Sequence, residues 1–94
     1  MDIVNVVRFT ISEEDEQKML AQRETLLAAV RAHSTGLQRA VLTKIDEKTW
    51  MDLWHWDSEE SLTKVQQARL PEAVASFAMV DLIDGTMGRV VTTS

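Results

Sequence analysis

The spacing of apolar residues divides the chain into segments with strand or helix periodicity. Residues 3–11 alternate between two faces, which predicts a β-strand. Over residues 12–33, apolar side chains recur every three or four positions, which predicts an amphipathic helix. Ser12 and the acidic residues after it suit the positive N-terminus of that helix. Gly36 is expected to end the segment in a left-handed conformation.

The remaining segments complete the order β-α-β-β-α-β. Residues 37–45 and 49–56 are two predicted strands joined by a short turn, which indicates an antiparallel hairpin. A second helix follows the acidic and serine residues 57–60, and Pro71 is expected to open a short helix over residues 72–79. Residues 86–92, after Asp84 and Gly85, form the predicted last strand. Right-handed crossovers turn this order into a ferredoxin-like α+β fold, a four-stranded antiparallel sheet with its helices on one face.

Both faces of the predicted central strands, the first and the third, are apolar. Val4 and Val6 point away from the face that carries Ile3, while Met51 and Leu53 point away from the tryptophans of the third strand. The helices can cover only one of these faces. The other face therefore predicts a homodimer formed through the sheet, since a two-fold axis is the simplest way to cover it.

Composition narrows the functional classes. The 94 residues include no cysteine, 45% hydrophobic and 27% charged residues, and they carry a net charge of −5. This balance predicts one globular domain over residues 1–94 and disfavours nucleic acid, whose binding depends on Lys and Arg contacts to phosphate. No segment is apolar enough to cross a bilayer and no export signal is present, so we expect a cytoplasmic protein that does not bind membranes. His33 and His55 have no second ligand at metal spacing, and no metal ion is expected.

Two charged residues occupy positions where the pattern favours apolar ones. Asp52 lies in a central strand between two tryptophans of the same face, and Arg23 interrupts the apolar stripe of the first helix. Burial disfavours a charged carboxylate unless a cation or donors compensate. One hypothesis makes Asp52 a general base or an acceptor for a substrate hydroxyl. In the same hypothesis Arg23 is a cation that faces a cavity between helix and sheet, placed to pair with Asp52 or with a substrate oxyanion. The alternative is a structural aspartate and an arginine whose guanidinium reaches solvent.

All three tryptophans fall on one face of the third strand, and the chain has no tyrosine. Trp50, at the start of the strand, is expected to pack in the core. Trp54 and Trp56 are candidates for a slot that holds a flat aromatic ligand, although three tryptophans can equally form the core of a small domain. Asn5 and Phe9, which share one face of the first strand, complete the candidate substrate contacts.

Residues 49–62 resemble the third-strand-to-helix junction of the antibiotic-biosynthesis monooxygenase-like family, in which a strand ends in Trp and a short acidic or serine cap precedes an amphipathic helix. Residues 7–11 resemble the first strand of that family, and Gly36-Leu37 resembles the entry to its second strand. The family belongs to the dimeric α+β barrel superfamily. The resemblance therefore implies a dimer with a pocket between sheet and helices in each protomer.

The resemblance also implies site residues. In the family's cofactor-independent oxygenases, which act on polycyclic aromatic phenols, the strand-ending Trp and a polar residue four positions before it line the cavity. Trp56 and Asp52 occupy these positions here, while Leu62 stands where those oxygenases have a phenolic Tyr. The haem-degrading branch has an Asn in the first strand where this chain has Val7, so the resemblance implies no bound cofactor.

We therefore predict a small cofactor-independent monooxygenase that oxidises an aromatic phenol with molecular oxygen. In this hypothesis Asp52 accepts the phenolic proton, Arg23 stabilises the resulting anion, and the tryptophan rings hold the substrate. Two alternatives fit the same fold, because a fold does not determine a function. One is a ligand-binding or structural dimer without turnover, and the other is an isomerase or lyase.

Overall fold

The computed structural model describes residues 1–94 as a single four-stranded sheet with three α-helices. The elements in chain order are β1 (Ile3–Thr10), α1 (Glu16–His33), β2 (Leu37–Lys44), β3 (Thr49–Trp56), α2 (Glu59–Ala68), α3 (Pro71–Ala78) and β4 (Asp81–Arg89). All neighbouring strands are antiparallel, in the order β2-β3-β1-β4. The predicted ferredoxin-like α+β fold is confirmed, and β1 and β3 are its central strands.

The two longer helices begin in different ways. Ser58 is a true N-cap, because its hydroxyl accepts a hydrogen bond from the backbone amide of Ser61 at 3.1 Å. Ser12 does not cap α1, since a 3-10 turn over Glu13–Asp15 precedes that helix and the Ser12 hydroxyl donates to the Asp15 carboxylate at 2.9 Å. The predicted N-cap at Ser12 therefore lies three residues before Asp15, the observed N-cap of α1.

The last strand differs most from the sequence pattern. The bounds of the predicted segment 86–92 are wrong at both ends, because β4 pairs with the whole length of β1 and so runs Asp81–Arg89. Asp84 lies opposite Arg8 and Gly85 lies opposite Val7, so both residues belong to the strand rather than to a turn. A bulge at Ile83 shifts the register and lets the pairing continue.

Gly36 is required for space rather than for a left-handed backbone. No glycine in the structure has a positive φ, so the expected left-handed end of α1 is wrong. The chain leaves α1 through an extended Ser34, and the Gly36 carbonyl accepts from the amide of Asp57 at 2.9 Å. A Cβ at Gly36 would overlap the Ser61 side chain and crowd the Asp57 carboxylate. The β2 entry and the start of α2 therefore meet at a point where only glycine fits.

The helices pack on one face of the sheet and form two separate apolar clusters. The larger cluster joins α1 and α2 to three strands through Ile3, Leu27, Val30, Leu37, Trp56, Leu62 and Val65. The smaller cluster, at the other end of the sheet, consists of Phe9, Ile11, Met19 and Trp50. None of the helices has the length and apolarity needed to cross a bilayer. The two charged residues that the sequence places at apolar positions, Arg23 and Asp52, lie in the space between the two clusters.

Replacing Gly36 with alanine is expected to lower the free energy of unfolding by about 1–3 kcal/mol, because the added methyl group would overlap Ser61. Gly85→Ala is the matched control, since no heavy atom lies within 4 Å of a Cβ at that position. Its stability should change by less than about 0.5 kcal/mol. Urea unfolding measures both effects, and an unchanged midpoint for Gly36→Ala would contradict the close contact.

Candidate functional site

A cavity of about 410 Å³ lies between the inner face of the sheet and the three helices. Its wall contains 22 residues, of which 15 are hydrophobic, and its size is typical of small-molecule sites. The structure brings all of the predicted site residues to this wall: Asn5, Phe9, Arg23, Asp52, Trp54 and Trp56. Trp50 packs outside the cavity, in the smaller apolar cluster.

α3 covers the cavity, but its side chains do not fill it. α3 contains no buried residue, and its Val74 and Phe77 line the cavity while remaining 65% and 52% exposed. Pro71 at the first helical position sets the direction of the helix, and its start lies one residue before the predicted 72–79 segment. Sequence reasoning assigned no site residue to α3. The apolar spacing of Val74 and Phe77 could have indicated that α3 contributes to a cavity wall, but such spacing is also typical of a buried helix face.

Arg23 and Asp52 form a two-pronged ion pair on the cavity wall. The Arg23 Nε donates to Oδ2 of Asp52 and Nη2 donates to Oδ1, both at 2.9 Å. Both side chains are mostly buried, with 14% and 15% of their surfaces exposed. Removing two charges from water is costly, and a parallel pair of charge-assisted hydrogen bonds offsets much of that cost. Arg23 is therefore directed into the interior rather than towards solvent.

Local periodicity explains why these two charges meet. On α1, Arg23 lies one turn after Met19 and one turn before Leu27, which belong to the smaller and the larger apolar cluster respectively. On β3, Asp52 lies between Trp50 and Trp54 on the inner face. The helix and the strand therefore each place one charge at the gap between the clusters.

Asn5 and Trp56 form a second polar contact at the wall. The Trp56 ring is 1% exposed, and its Nε1 donates to Oδ1 of Asn5 at 2.7 Å. An indole N–H can only donate, so this bond fixes the orientation of the Asn5 amide. The amide nitrogen of Asn5 makes no hydrogen bond within the chain and remains a free donor. Trp54 lies beside Trp56, with ring centroids 6.1 Å apart and planes tilted by 32°.

Further polar residues at the wall come from the helices. Gln22 of α1 donates to the backbone carbonyl of Glu72 at 3.3 Å, and the hydroxyl of Ser76 donates to the same carbonyl at 2.8 Å. Gln66 and Arg69 line the wall from α2 and its C-terminal cap. No three His, Asp or Glu side chains converge in a way that could hold a metal ion.

No family model matches the sequence, and no curated protein matches it significantly. Solved structures match well. SnoaB, a cofactor-independent oxygenase from Streptomyces nogalater, superposes with a TM-score of 0.73 at 18% identity, covering 98% of this chain and 95% of that chain. A Chloroflexus aurantiacus protein described as a candidate antibiotic biosynthesis monooxygenase has a TM-score of 0.73 at 14% identity, covering 100% and 97%.

A dimeric ferredoxin-like protein from an uncultured marine organism also superposes, with a TM-score of 0.69 at 19% identity over 100% of this chain and 98% of that chain. The resemblance predicted from residues 49–62 is thus confirmed at the level of the fold. Sequence identities this low establish a similar fold but not a similar chemistry, which depends on the residues of the site itself.

Removing either partner of the ion pair is expected to destabilise the protein. Arg23→Met or Asp52→Leu alone should each lower the free energy of unfolding by about 2–4 kcal/mol, because each leaves an uncompensated buried charge. The double variant Arg23→Met/Asp52→Leu should recover most of that loss, since an apolar pair has no charge to desolvate. Urea unfolding of the parent, the two single variants and the double variant, all at one protein concentration, measures these changes. A double variant that loses as much stability as the two single variants together would contradict a direct interaction between Arg23 and Asp52.

Proposed function

We propose that this protein binds a flat aromatic phenol in the cavity and oxidises it with molecular oxygen, without a bound cofactor. One observation carries the proposal: a charged and hydrogen-bonded pair, Arg23–Asp52, lies on the wall of a cavity that is otherwise mainly apolar and aromatic. The ligand that fits such a wall has broad ring faces and one polar edge. The structural similarity to a cofactor-independent oxygenase also supports a proposal of oxidation without a bound cofactor.

Arg23 is the group proposed to stabilise a phenolate. A guanidinium has five N–H donors, and Asp52 accepts only two of them. The remaining donors are free to bind a substrate oxygen while Asp52 keeps the guanidinium in place. In an apolar cavity such a donor favours the deprotonated phenol much more than it would in water.

Asp52 is the proposed proton acceptor. Each of its carboxylate oxygens accepts one hydrogen bond from Arg23 and keeps a further acceptor position. A phenolic O–H that approaches the Arg23–Asp52 pair can therefore donate to Asp52 and, once deprotonated, accept from Arg23. The same two residues would serve both protonation states of the substrate without moving.

The remaining predicted residues position the rings. Trp54 and Phe9 supply broad apolar surfaces at the wall, and Trp56 supplies the rigid back of the cavity. The free amide nitrogen of Asn5 is a donor for a second substrate oxygen. A ligand with two oxygen functions on its rings would satisfy both Arg23 and Asn5.

The proposed reaction balances without any reductant from the protein. The phenolate gives one electron to O₂, and the resulting superoxide and phenoxyl radical combine to form a carbon–oxygen bond. Asp52 returns the phenolic proton to this peroxide, which gives a ring hydroperoxide. Cleavage of the oxygen–oxygen bond with loss of the ring proton leaves a quinone carbonyl and hydroxide, and the hydroxide takes up that ring proton to form water. The sum is phenol plus O₂ to quinone plus water. The substrate supplies all of the electrons, so the role of the chain is to deprotonate and orient it.

Oxygen uptake with a dihydroxynaphthalene tests this assignment. The parent should consume oxygen above the uncatalysed rate, with one O₂ used per quinone formed. Asp52→Asn should reduce kcat by about 100-fold or more, the usual loss on removing a general base. Arg31→Gln is the matched control, an exposed arginine of α1 outside the cavity wall, and should retain the parent rate. Parent turnover by folded Asp52→Asn would overturn the assignment of the base.

A second function, ligand binding without turnover, is favoured by one specific observation. Both oxygens of Asp52 already accept hydrogen bonds from Arg23, as in a structural pair. Under this alternative the same dihydroxynaphthalene would bind, as measured by calorimetry, while oxygen uptake stayed at the uncatalysed rate. Binding together with enzymatic uptake would exclude it.

We also propose that two copies associate through the outer face of the sheet. That face carries Val4, Val6, Met51 and Leu53 at its centre, and the buried residues of α1 and α2 belong to clusters on the opposite face. An exposed pair, Arg8 with Asp84, lies at one end of this band, and its hydrogen bond lowers the pKa of Asp84 and raises the pKa of Arg8. A second copy is the occupant that a self-complementary apolar band fits best, and a dimeric structural neighbour supports the same arrangement.

Sedimentation velocity at micromolar concentration tests the dimer. The parent should sediment as a dimer, and Leu53→Glu should sediment as a monomer, because it places a charge at the centre of the apolar band. Gln67→Glu, an exposed change on α2, is the control and should leave the dimer intact. A monomeric parent under these conditions would refute the association.

A further inference from the structure

Arg69 has a backbone conformation that its residue type disfavours. With φ 49° and ψ 53°, it is the only residue other than glycine with a positive φ in the structure. It caps the C-terminus of α2, a position where glycine or asparagine normally avoids the clash between Cβ and the backbone. A strained residue of this kind at the edge of a cavity points to its side chain as the reason for its presence.

Arg69 lines the cavity, and its side chain has no partner in the chain. It forms no side-chain hydrogen bond and no ion pair, whereas Arg8 and Arg23 each hold a carboxylate. Arg31, Arg39 and Arg89 also have no side-chain partner, but they lie outside the cavity wall, so Arg69 is the one unpaired arginine at the cavity. Arg69 is exposed and therefore lies where the cavity meets solvent. The cavity thus has two guanidinium groups, one paired in the interior and one free at the opening.

We infer that Arg69 binds a carboxylate of the ligand, so that the preferred ligand is an aromatic phenol that carries a carboxylate away from its phenolic edge. The inference rests on the proposed function, which places the phenolic edge at the Arg23–Asp52 pair. A planar guanidinium fork matches a carboxylate in geometry and charge. Arg23 comes from α1 and Arg69 from the junction of α2 and α3, so the two ends of one ligand meet cations on different elements.

Three matched probes test the inference by calorimetry: rhein, which is a dihydroxyanthraquinone carboxylic acid, its neutral methyl ester, and aloe-emodin, in which a hydroxymethyl group replaces the carboxylate. All three are already quinones, so the titration measures binding alone. The parent should bind rhein about fivefold more tightly than either neutral probe, the preference expected for a partly exposed ion pair. This preference should decrease as salt is raised to about 1 M, because salt screens exposed charges.

Three substitutions separate the charge of residue 69 from its backbone conformation. Arg69→Asn and Arg69→Gly tolerate the left-handed conformation, so both should melt at or above the parent temperature while binding all three probes equally. Arg69→Lys keeps the charge and should retain part of the preference for rhein. A variant that keeps the fivefold preference without a cation at position 69 would overturn the inference.

The outcomes also separate this inference from the proposed function. If the parent binds the three probes with equal affinity, the carboxylate site is refuted while the phenol cavity stands. If the parent binds none of them, both the ligand class and the carboxylate site are refuted. If rhein is preferred but no phenol is oxidised, the carboxylate site stands and the oxygenase proposal fails.

Discussion

The ion pair between Arg23 and Asp52 is the constraint on which the interior of this protein depends. It lies between two apolar clusters, which are separate in the structure. An aliphatic pair at the same positions would let the helix and the sheet close on each other. With a guanidinium and a carboxylate there, the side chains around them must leave room for polar geometry. The cavity and the charged pair are therefore one feature of the packing.

That arrangement has a consequence for stability. A chain of 94 residues buries a modest apolar core, and part of the inner surface here is given to a cavity with a charged wall. Replacing such a pair by well-packed apolar residues is often neutral or stabilising, so the pair is not explained by stability alone. The left-handed Arg69 at the cavity edge is a second local cost. Buried charges and strained backbone both occur preferentially at functional sites, so these two features support the proposed binding role of the cavity.

The two faces of the sheet have two different proposed roles. Its inner face supplies Asn5, Asp52 and Trp54 to the cavity, and its outer face supplies an apolar band suited to a second copy. Because side chains alternate along a strand, neighbouring residues such as Asp52 and Leu53 serve opposite sides. Dimerisation through the outer face leaves the cavity opening free. The proposed assembly and the proposed chemistry therefore do not compete for the same surface.

Local patterns in the sequence were sufficient for much of the fold. The order of strands and helices, the hairpin between β2 and β3, the Ser58 cap and the two-sided central strands all follow from interactions within a few residues. The placement of Asp52 and Arg23 at apolar positions was also visible, because a break in periodicity can be read without knowing the partner. The start of β4 was not predictable, since Asp84 and Gly85 favour a turn locally and only pairing with β1 keeps them in a strand.

By itself the sequence determined which residues face inwards and that two of them are charged. Only the tertiary structure decided that Arg23 meets Asp52, 29 positions away, with both oxygens engaged, and that Trp56 fixes the amide of Asn5, 51 positions away. It also decided that Gly36 is needed for close packing rather than for its φ angle. The physical reason is that periodicity depends on neighbours along the chain, whereas contacts and free space depend on how distant segments pack together.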